Sequence, residues 1–455
     1  MALFKKKSDQ PVEPPINLHA VADIDAERAQ REIAARQTEA GFPTKDLLYD
    51  AVVRRAEKVL LDYSRDAVAV QYQIDGLWHN VAPRDRATGD ALLAMLKLLC
   101  GLRADERRAR QDGKFLIEHQ QTKVKYVGTL TAQGVKTGER VVLELAPKKA
   151  KPFKTLTDLG MREPMQEKIL SYTRDPGLLL ISSPPANGFT TTWNVTLKST
   201  DRMLRDFVGI EDEAKKETEV ENINMTYFNG AAGETPDALI PKLLLKLPDC
   251  FVLPDLCNAA TANKLSELAS HPREPRLVIA GVRAKDAVEA LLRVLLLKAS
   301  AKDFAQAVRA VLSVRLVRKL NDTCKQTFQP PPQLLQRLGI PPDRVKVLYK
   351  EWTPPPPLPP EEEKKKKKKV IPPHICPLCE QEGPWCHGIG YRDRTGIFEL
   401  LEINDQLREA LVKTPKLEVL RQIARAAGHR GLQEEGIVLV AKGTTSLTEL
   451  QRVLK

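Results

Sequence analysis

The segment 177–194, GLLLISSPPANGFTTTWN, has the residue types of a phosphate-binding turn. An apolar run predicts a buried strand, and the threonines that follow the turn predict the start of a helix. A P-loop needs Gly, four residues and then Gly-Lys-Ser/Thr; Gly188 and Thr190 occupy the second glycine and the hydroxyl position, but Phe189 occupies the lysine position. Hydroxyls of Thr190 and Thr191 and the N–H groups of a helix start favour an anion. Taken alone, the segment favours an ordinary turn with a Ser/Thr cap; only the motifs around it favour a degenerate nucleotide site.

Cysteines form a second candidate site near the C-terminus. The stretch CPLCEQEGPWCH places Cys376 and Cys379 two residues apart and adds Cys386 and His387. A short thiolate pair suits tetrahedral zinc. The alternative is a metal-free turn with free thiols, and His387 is interpreted as a solvated neighbour rather than a ligand.

Length and composition limit the class of protein. A chain of 455 residues exceeds one ordinary core, so two or three domains are expected. Of the net charge of +12, the run EEEKKKKKK contributes +3, from six lysines against three glutamates. Aromatic residues make up 5%, which argues against a stacking platform for single-stranded nucleic acid. The start lacks an apolar signal-peptide core, and charged residues interrupt the apolar run 290–299, so a soluble, cytoplasmic protein is predicted.

Apolar patterning predicts the domain order. Short apolar strands at 178–182, 205–210, 249–253 and 276–281 alternate with helical patterns at 236–247, 258–270 and 286–297. This alternation predicts an α/β domain whose sheet is largely parallel, with ligand sites at the carboxyl ends of the strands. Helical spacing is also found over 21–64 and in a tail over 397–455, and a hairpin is predicted about Ile74–Leu77. The predicted divisions are a disordered N-terminus 1–20, an α+β domain 21–148, the α/β core 149–345, a Pro/Lys-rich linker 346–374, and a Cys-containing element with a helical subdomain 375–455.

Several motifs in a fixed order resemble the ATPases of type II secretion and type IV pilus assembly, the GspE/PilB family. They are YQIDGLW, ERRARQDGKF, the segment 177–194, VGIEDEAKKE, GYRDRTGIFELLEI and GHRGLQEEGIVLVAKGTTSLTELQRV. The resemblance covers roughly residues 45–455. It implies a RecA-like P-loop core behind an α+β N-terminal domain, and a chain that works within a secretion or pilus machine.

The resemblance also implies a nucleotide site in which most of the cationic groups are missing. Glu211 and Asp212 would help to hold Mg²⁺ beside ATP, and Asp255 takes the place of the Walker B glutamate. The family's histidine falls on Arg283. Positions that are cationic in the family are neutral in this chain at Phe189, Pro241, Leu245, Gln71, Gln73 and Val127. Because phosphoryl transfer depends on charge around the phosphates, a pseudo-ATPase is predicted.

An alternative is kept open: an active hexameric ATPase that moves pilins or pseudopilins. In that case another cation, such as Arg283 or Lys198, would replace the lysine. A weaker third possibility is binding of nucleic acid or a membrane surface by the lysine run, which is otherwise interpreted as a solvated spacer.

The resemblance implies the remaining ligands and partners. The family's tetracysteine element has two CxxC pairs, of which the first is reduced to Cys324 because Asn321 replaces a cysteine. The implied zinc set is therefore Cys324, Cys376, Cys379 and Cys386. The implied partners are further copies or an ATPase paralogue in a ring and an inner-membrane platform protein, at the cytoplasmic side of the inner membrane. Nucleic acid is not an expected partner.

Overall fold

The computed structural model describes residues 13–136, 138–149, 152–341, 343–354, 376–382 and 386–455. The chain divides into two compact units, Met1–Pro152 and Phe153–Lys455. Within the described residues, no helix has both the length and the apolar character needed to cross a bilayer.

The first unit is an antiparallel sheet with helices, ordered β1-β5-β6-β7-β2-β3-β4. Its elements are β1 Ile16–Ala20, α1 Asp25–Arg36, α2 Gly41–Val53, β2 Lys58–Tyr63, β3 Ala67–Ile74, β4 Leu77–Asp85, α3 Arg86–Leu99, β5 Gln111–His119, β6 Lys125–Val135 and β7 Gly138–Pro147. The predicted hairpin joins β3 to β4, and Asp75 and Gly76 both have positive φ, as a two-residue turn requires. The first unit therefore has the α+β character that the sequence predicted.

Two expectations for the first unit are wrong. Residues 16–20, predicted to be disordered, form β1, which pairs with β5 from Ile16↔His119 to Ala20↔Phe115. Both ends of β1 are buried, so core contacts outweigh the polar residues Asn17 and His19. The end of the predicted 21–64 helical region is strand β2, because KVLLDY alternates buried and half-buried residues. Residues 1–12 lie outside the described part of the chain.

The second unit is built on a sheet ordered β10-β9-β11-β12-β8-β13-β16. Its strands are β8 Gly177–Ser182, β9 Phe207–Asp212, β10 Ile223–Phe228, β11 Cys250–Leu253, β12 Leu277–Val282, β13 Val308–Leu320, β14 Gln326–Phe328, β15 Leu348–Lys350 and β16 Tyr391–Glu402. Its helices are α4 Glu163–Tyr172, α5 Phe189–Lys198, α6 Pro236–Leu244, α7 Ala259–Ala269, α8 Ala287–Leu296, α9 Ala301–Ala307, α10 Pro332–Leu338, α11 Pro377–Glu382, α12 Asp405–Lys413, α13 Leu417–Ala426, α14 Leu432–Ala441 and α15 Leu447–Leu454.

The predicted α/β class with a largely parallel sheet is confirmed. Every neighbouring pair from β10 to β13 is parallel, and only β16 runs antiparallel, against β13. Strands β8, β11 and β12 are buried along their whole length, as expected for strands covered on both faces. This arrangement brings the carboxyl ends of β8, β9, β11 and β12 to one edge of the sheet.

The C-terminal part of the chain departs from the prediction. The helical tail expected from residue 397 begins inside β16, so the C-terminal segment contributes a strand to the core sheet instead of forming a separate subdomain. The predicted linker 346–374 also begins with ordered structure: β15 pairs with β14, and Trp352 is buried. The rest of that linker, 355–374, lies outside the described residues.

Candidate functional site: a modified phosphate loop and a cysteine cluster

The loop between β8 and α5 satisfies its own polar groups. The Ser183 hydroxyl donates to the Pro184 carbonyl at 2.9 Å, and the Asn187 backbone N–H donates to the same carbonyl at 3.3 Å. The Asn187 side-chain amide donates to the Pro185 carbonyl at 2.9 Å, and its oxygen accepts from the Leu316 N–H of β13 at 3.4 Å. Pro184 and Pro185 contribute no backbone N–H. The loop therefore offers fewer donors to an anion than a glycine-rich loop does.

Two residues of this loop have the left-handed backbone conformation. Gly188 has φ 91° and Ala186 has φ 58°. The resemblance places a glycine at Ala186, and an alanine in this conformation costs about 1 kcal/mol. The loop thus keeps the backbone path of a glycine-rich turn although one of its glycines is lost. Thr190 is exposed and Thr191 is half-buried at the start of α5.

Phe189, at the lysine position, is a core residue. Its ring is 3% exposed and stacks on Trp193, with 5.6 Å between the ring centroids and 16° between the planes. A Cβ atom added at Gly281 of β12 would lie 2.5 Å from Cζ of Phe189, so the ring occupies the space that this glycine leaves. The guanidinium carbon of Arg283 lies 3.7 Å from the centroid of the same ring. An aromatic side chain that faces inward therefore replaces the outward-facing cation of a P-loop.

Neither replacement cation considered above is free at the loop. The Arg283 guanidinium lies on Phe189 and also forms an ion pair with Glu217 at 3.5 Å. Lys198 is the last residue of the ten-residue helix α5 that Phe189 begins. At about 1.5 Å of rise per residue, its backbone lies about 13 Å along the helix axis from the loop. The geometry thus argues against the alternative in which one of these side chains replaces the lysine.

The predicted carboxylates lie at the same edge of the sheet, but each is in a different setting. Glu211 at the end of β9 is 5% exposed, and burial raises its pKa to about 7. Asp212 accepts from the Ala214 N–H at 3.0 Å and so caps a short 3₁₀ turn. Asp255, after β11, is about half-exposed and forms an ion pair with Lys215 at 3.7 Å. A buried, partly protonated Glu211 and an ion-paired Asp255 are poor ligands for Mg²⁺ near neutral pH.

Other family positions that became neutral have ordinary structural roles. Pro241 lies inside α6, and Leu245 follows it with a side chain that is mostly exposed. In the first unit, Gln71 and Gln73 lie on β3 and Val127 lies on β6, and the Gln71 amide donates to Asn80 at 2.8 Å. Within the second unit, the loop and the carboxylates beside it do not fit a magnesium-bound triphosphate.

The four predicted cysteine ligands come together although they are far apart in the sequence. The sulfur atoms of Cys324, Cys376, Cys379 and Cys386 all lie within 4.8 Å of one another, and all four residues are buried. The Cys379 and Cys386 sulfurs are 3.6 Å apart. Tetrahedral zinc with bonds near 2.3 Å places its sulfur ligands about 3.8 Å apart. The cluster therefore has the spacing of a tetrahedral thiolate site.

The residues around the cysteine cluster make packing contacts and backbone hydrogen bonds. Asn321, at the lost cysteine position, is buried; its side-chain oxygen accepts from the Thr323 N–H at 3.2 Å, and its carbonyl accepts from the Cys324 N–H at 3.1 Å. Trp352 packs in the same apolar cluster as the four cysteines. His387 lies outside the group of four. A metal bound here would fix three chain segments to one another rather than activate a substrate.

Comparisons with known proteins agree with the fold and with the motifs. Residues 42–452 match the sequence profile of the family described as "Type II/IV secretion system protein". The chain belongs to this family. The chain is 26% identical over 449 residues to the type IV pilus assembly ATPase PilB of Thermus thermophilus, covering 98% of this chain and 44% of that protein. It is 28% identical over 438 residues to the protein transport protein HofB homolog of Escherichia coli, covering 94% and 85% of the two chains.

Solved structures agree on the fold. The ATPase DotB of Legionella pneumophila superposes with a TM-score of 0.54 at 11% identity, covering 91% of this chain and 95% of that one. The predicted membership in the family of type II secretion and type IV pilus assembly ATPases is therefore confirmed. This chain spans less than half the length of the Thermus relative.

Sequence reasoning missed the residues that bury Phe189. The signal was present in FTTTW, where Phe189 and Trp193 are four residues apart and thus share one helix face. The partner across the sheet, Gly281, carries no such signal because its role depends on the pairing of β12 with β8.

Replacement of Phe189 tests whether this position is part of the core. We expect Phe189→Ala to lower the free energy of unfolding of the second unit by about 3 kcal/mol, because a buried aromatic ring is removed. The exposed neighbour gives the control: Thr190→Ala should stay within about 0.5 kcal/mol of the unmodified chain. Urea unfolding measures both. Equal, small effects of the two substitutions would show that the ring is not a core element.

Burial of Glu211 predicts a pH dependence of stability. Burial raises the pKa of Glu211 from 4.5 in the unfolded chain to about 7 in the folded chain. The resulting contribution to stability is fully present at pH values below 4.5 and is lost as the pH rises through 7. We expect the unmodified chain to lose on the order of 2 kcal/mol relative to Glu211→Gln between about pH 4.5 and 7.5. Exposed Glu213→Gln is the matched control. Parallel pH profiles for all three chains would contradict the assignment.

Proposed function

We propose that this chain is a non-hydrolysing subunit of a type II secretion or type IV pilus assembly machine, with a structural or regulatory role. The observation that carries the proposal is the burial of Phe189 where the family's phosphate-binding lysine stands. Removal of one donor that stabilises the transition state typically costs about 10²- to 10³-fold in rate. Here the lysine, loop N–H groups and a free magnesium-binding carboxylate are all compromised, so the losses reinforce one another.

The scaffold of the family supports a role that depends on the fold and not on hydrolysis. The segment GYRDRTGIFELLEI supplies β16, which completes the core sheet beside β13. The tail from Gly428 supplies α14 and α15, and Arg162 holds Glu435 of α14 through two side-chain hydrogen bonds. A subunit with these parts intact can occupy a place in a ring of secretion ATPase paralogues at the cytoplasmic side of the membrane, beside a platform protein.

The proposal includes a structural zinc ion held by Cys324, Cys376, Cys379 and Cys386. Support comes from the mutual approach of the four buried sulfurs and from the apolar setting that they share with Trp352. Zinc would supply cross-linking, because metal binding and folding are coupled in such sites.

Phosphate release tests the absence of hydrolysis. The purified, metal-replete chain is incubated with Mg-ATP and assayed beside a hydrolysing relative, and we expect its rate to equal that of the buffer blank. Asp255→Ala distinguishes a true activity from a contaminant. Turnover that disappears in Asp255→Ala would overturn the proposal, whereas turnover unchanged by that substitution identifies a contaminating enzyme.

Metal analysis tests the cysteine cluster. We expect about one zinc ion per freshly purified chain and a large loss of zinc in Cys386→Ser, which removes one thiolate of four. The control is Cys257→Ser, which changes an exposed cysteine outside the cluster. Zinc content that is equal in the two variants would show that the cluster does not hold the metal.

A further inference from the structure

A cavity lies where the C-terminal helices meet the core sheet, apart from the phosphate loop. It has a volume of about 340 Å³, within the range of small-molecule sites. Its walls come from the start of α8, from β13 and β16, from α13, from the start of α14 and from the end of α15. Its basic lining residues are Lys285, Arg315, Arg421, Arg425 and Lys455, and its acidic ones are Asp286, Glu399 and Glu434.

Two of the acidic groups that line this cavity, hereafter the basic cavity, already have hydrogen-bond or ion-pair partners. Asp286 accepts from the Glu289 N–H at 2.8 Å as the cap of α8, and it also forms an ion pair with Arg421. Glu399 accepts from the Ala287 N–H at 3.2 Å and lies 2.7 Å from the ring of His429. Asp286 is thus paired with Arg421 and also acts on Arg315, and Glu399 is paired with His429.

The basic groups that remain lack such compensation. Within the described residues, the side chains of Lys285 and Arg425 have no ion-pair partner, and both are exposed to the cavity mouth. Glu434, in the first turn of α14, keeps its negative charge, but the five lining lysines and arginines outnumber the three lining aspartates and glutamates. The wall thus carries an excess of positive charge.

Arg315 adds a partly buried cation to the wall. Its guanidinium donates to two neutral carbonyls, of Val453 at 2.7 Å and of Lys285 at 3.4 Å. Its Nε is buried without a hydrogen-bond partner. The acceptors of its donated hydrogen bonds are thus neutral carbonyls and not carboxylates, so the charge of Arg315 adds to the positive potential of the wall. Burial also lowers the pKa of Arg315, and the nearby Asp286 carboxylate acts in the opposite direction.

We propose that the basic cavity binds the phosphate group of a small phosphorylated molecule. Arg425 and Lys285 would meet the phosphate at the mouth, and the positive charge of Arg315 in the wall would favour an anion there. Because the cavity is bounded both by strands of the core sheet and by the helices of the C-terminal segment, an occupant would fix these elements together. This site is independent of the loop at 183–188 and of whether that loop binds nucleotide.

Calorimetric titration of the full chain tests the proposal, with inorganic phosphate and AMP as the probes. We expect saturable binding of at least one probe below about 10 mM, weakened about tenfold or more by Arg425→Gln and by Lys285→Gln, since each removes a charge-assisted hydrogen bond. Lys413→Gln is the matched control, because this exposed lysine on α12 pairs with Glu409 outside the cavity. Thr190→Ala reports on binding at the phosphate loop.

The outcomes separate the two sites and the two sources of phosphate. Tighter binding of AMP than of inorganic phosphate, lost in Arg425→Gln, supports an organic phosphate, and the reverse order supports the free ion. The proposal is overturned if neither probe saturates, if Lys413→Gln weakens binding as much as Arg425→Gln, or if only Thr190→Ala weakens it. Unfolding midpoints of the variants, measured beside the unmodified chain, exclude loss of the fold as the cause.

Discussion

Strand β13 is the constraint on which the second unit depends. It spans Val308–Leu320, about 40 Å of extended chain. Its first half pairs in parallel with β8, up to Ser313↔Ser182, and nearly its whole length pairs antiparallel with β16. Because β8 leads into the phosphate loop and β16 belongs to the C-terminal segment, this one strand sets the relative positions of both. The Leu316 N–H also contacts Asn187 of the loop directly.

A buried ionic network fixes β13 to the last helix. Arg318 donates to Glu449 from Nε at 3.1 Å and from Nη2 at 2.8 Å, and the Arg318 backbone N–H donates to the same carboxylate at 3.0 Å. Burial on its own would raise the pKa of Glu449, but hydrogen bonds from Arg452 and Arg318 hold it below the usual value. A buried pair of this kind costs much to break and leaves few alternative registers for α15. The network therefore helps to set the wall of the basic cavity, which α15 borders.

The sequence predicted the elements whose pattern is unambiguous and missed those whose pattern depends on tertiary contacts. Strands β8, β11 and β12 are short apolar runs bounded by turn residues, and this pattern predicts a buried strand from the sequence alone. In β13 and β16, charged residues interrupt the apolar positions, and their partners come from distant parts of the chain. The cysteine set followed from the resemblance, but the burial of Phe189 did not, because the ring packs where a side chain at Gly281 would lie.

The changes at the phosphate loop are physically coupled. A lysine at position 189 would have to leave the apolar cluster that holds Phe189, or carry its charge into that cluster at a high cost in free energy. The ring in turn forms a cation–π contact with the Arg283 guanidinium. Arg283 also forms an ion pair with Glu217, which comes after the buried Glu211 in the sequence. Restoring the lysine alone would therefore open a cavity between Trp193 and Gly281 without rebuilding the anion site. What stabilises this loop is packing against the sheet, and the same packing removes the positive charge that binding of a triphosphate needs.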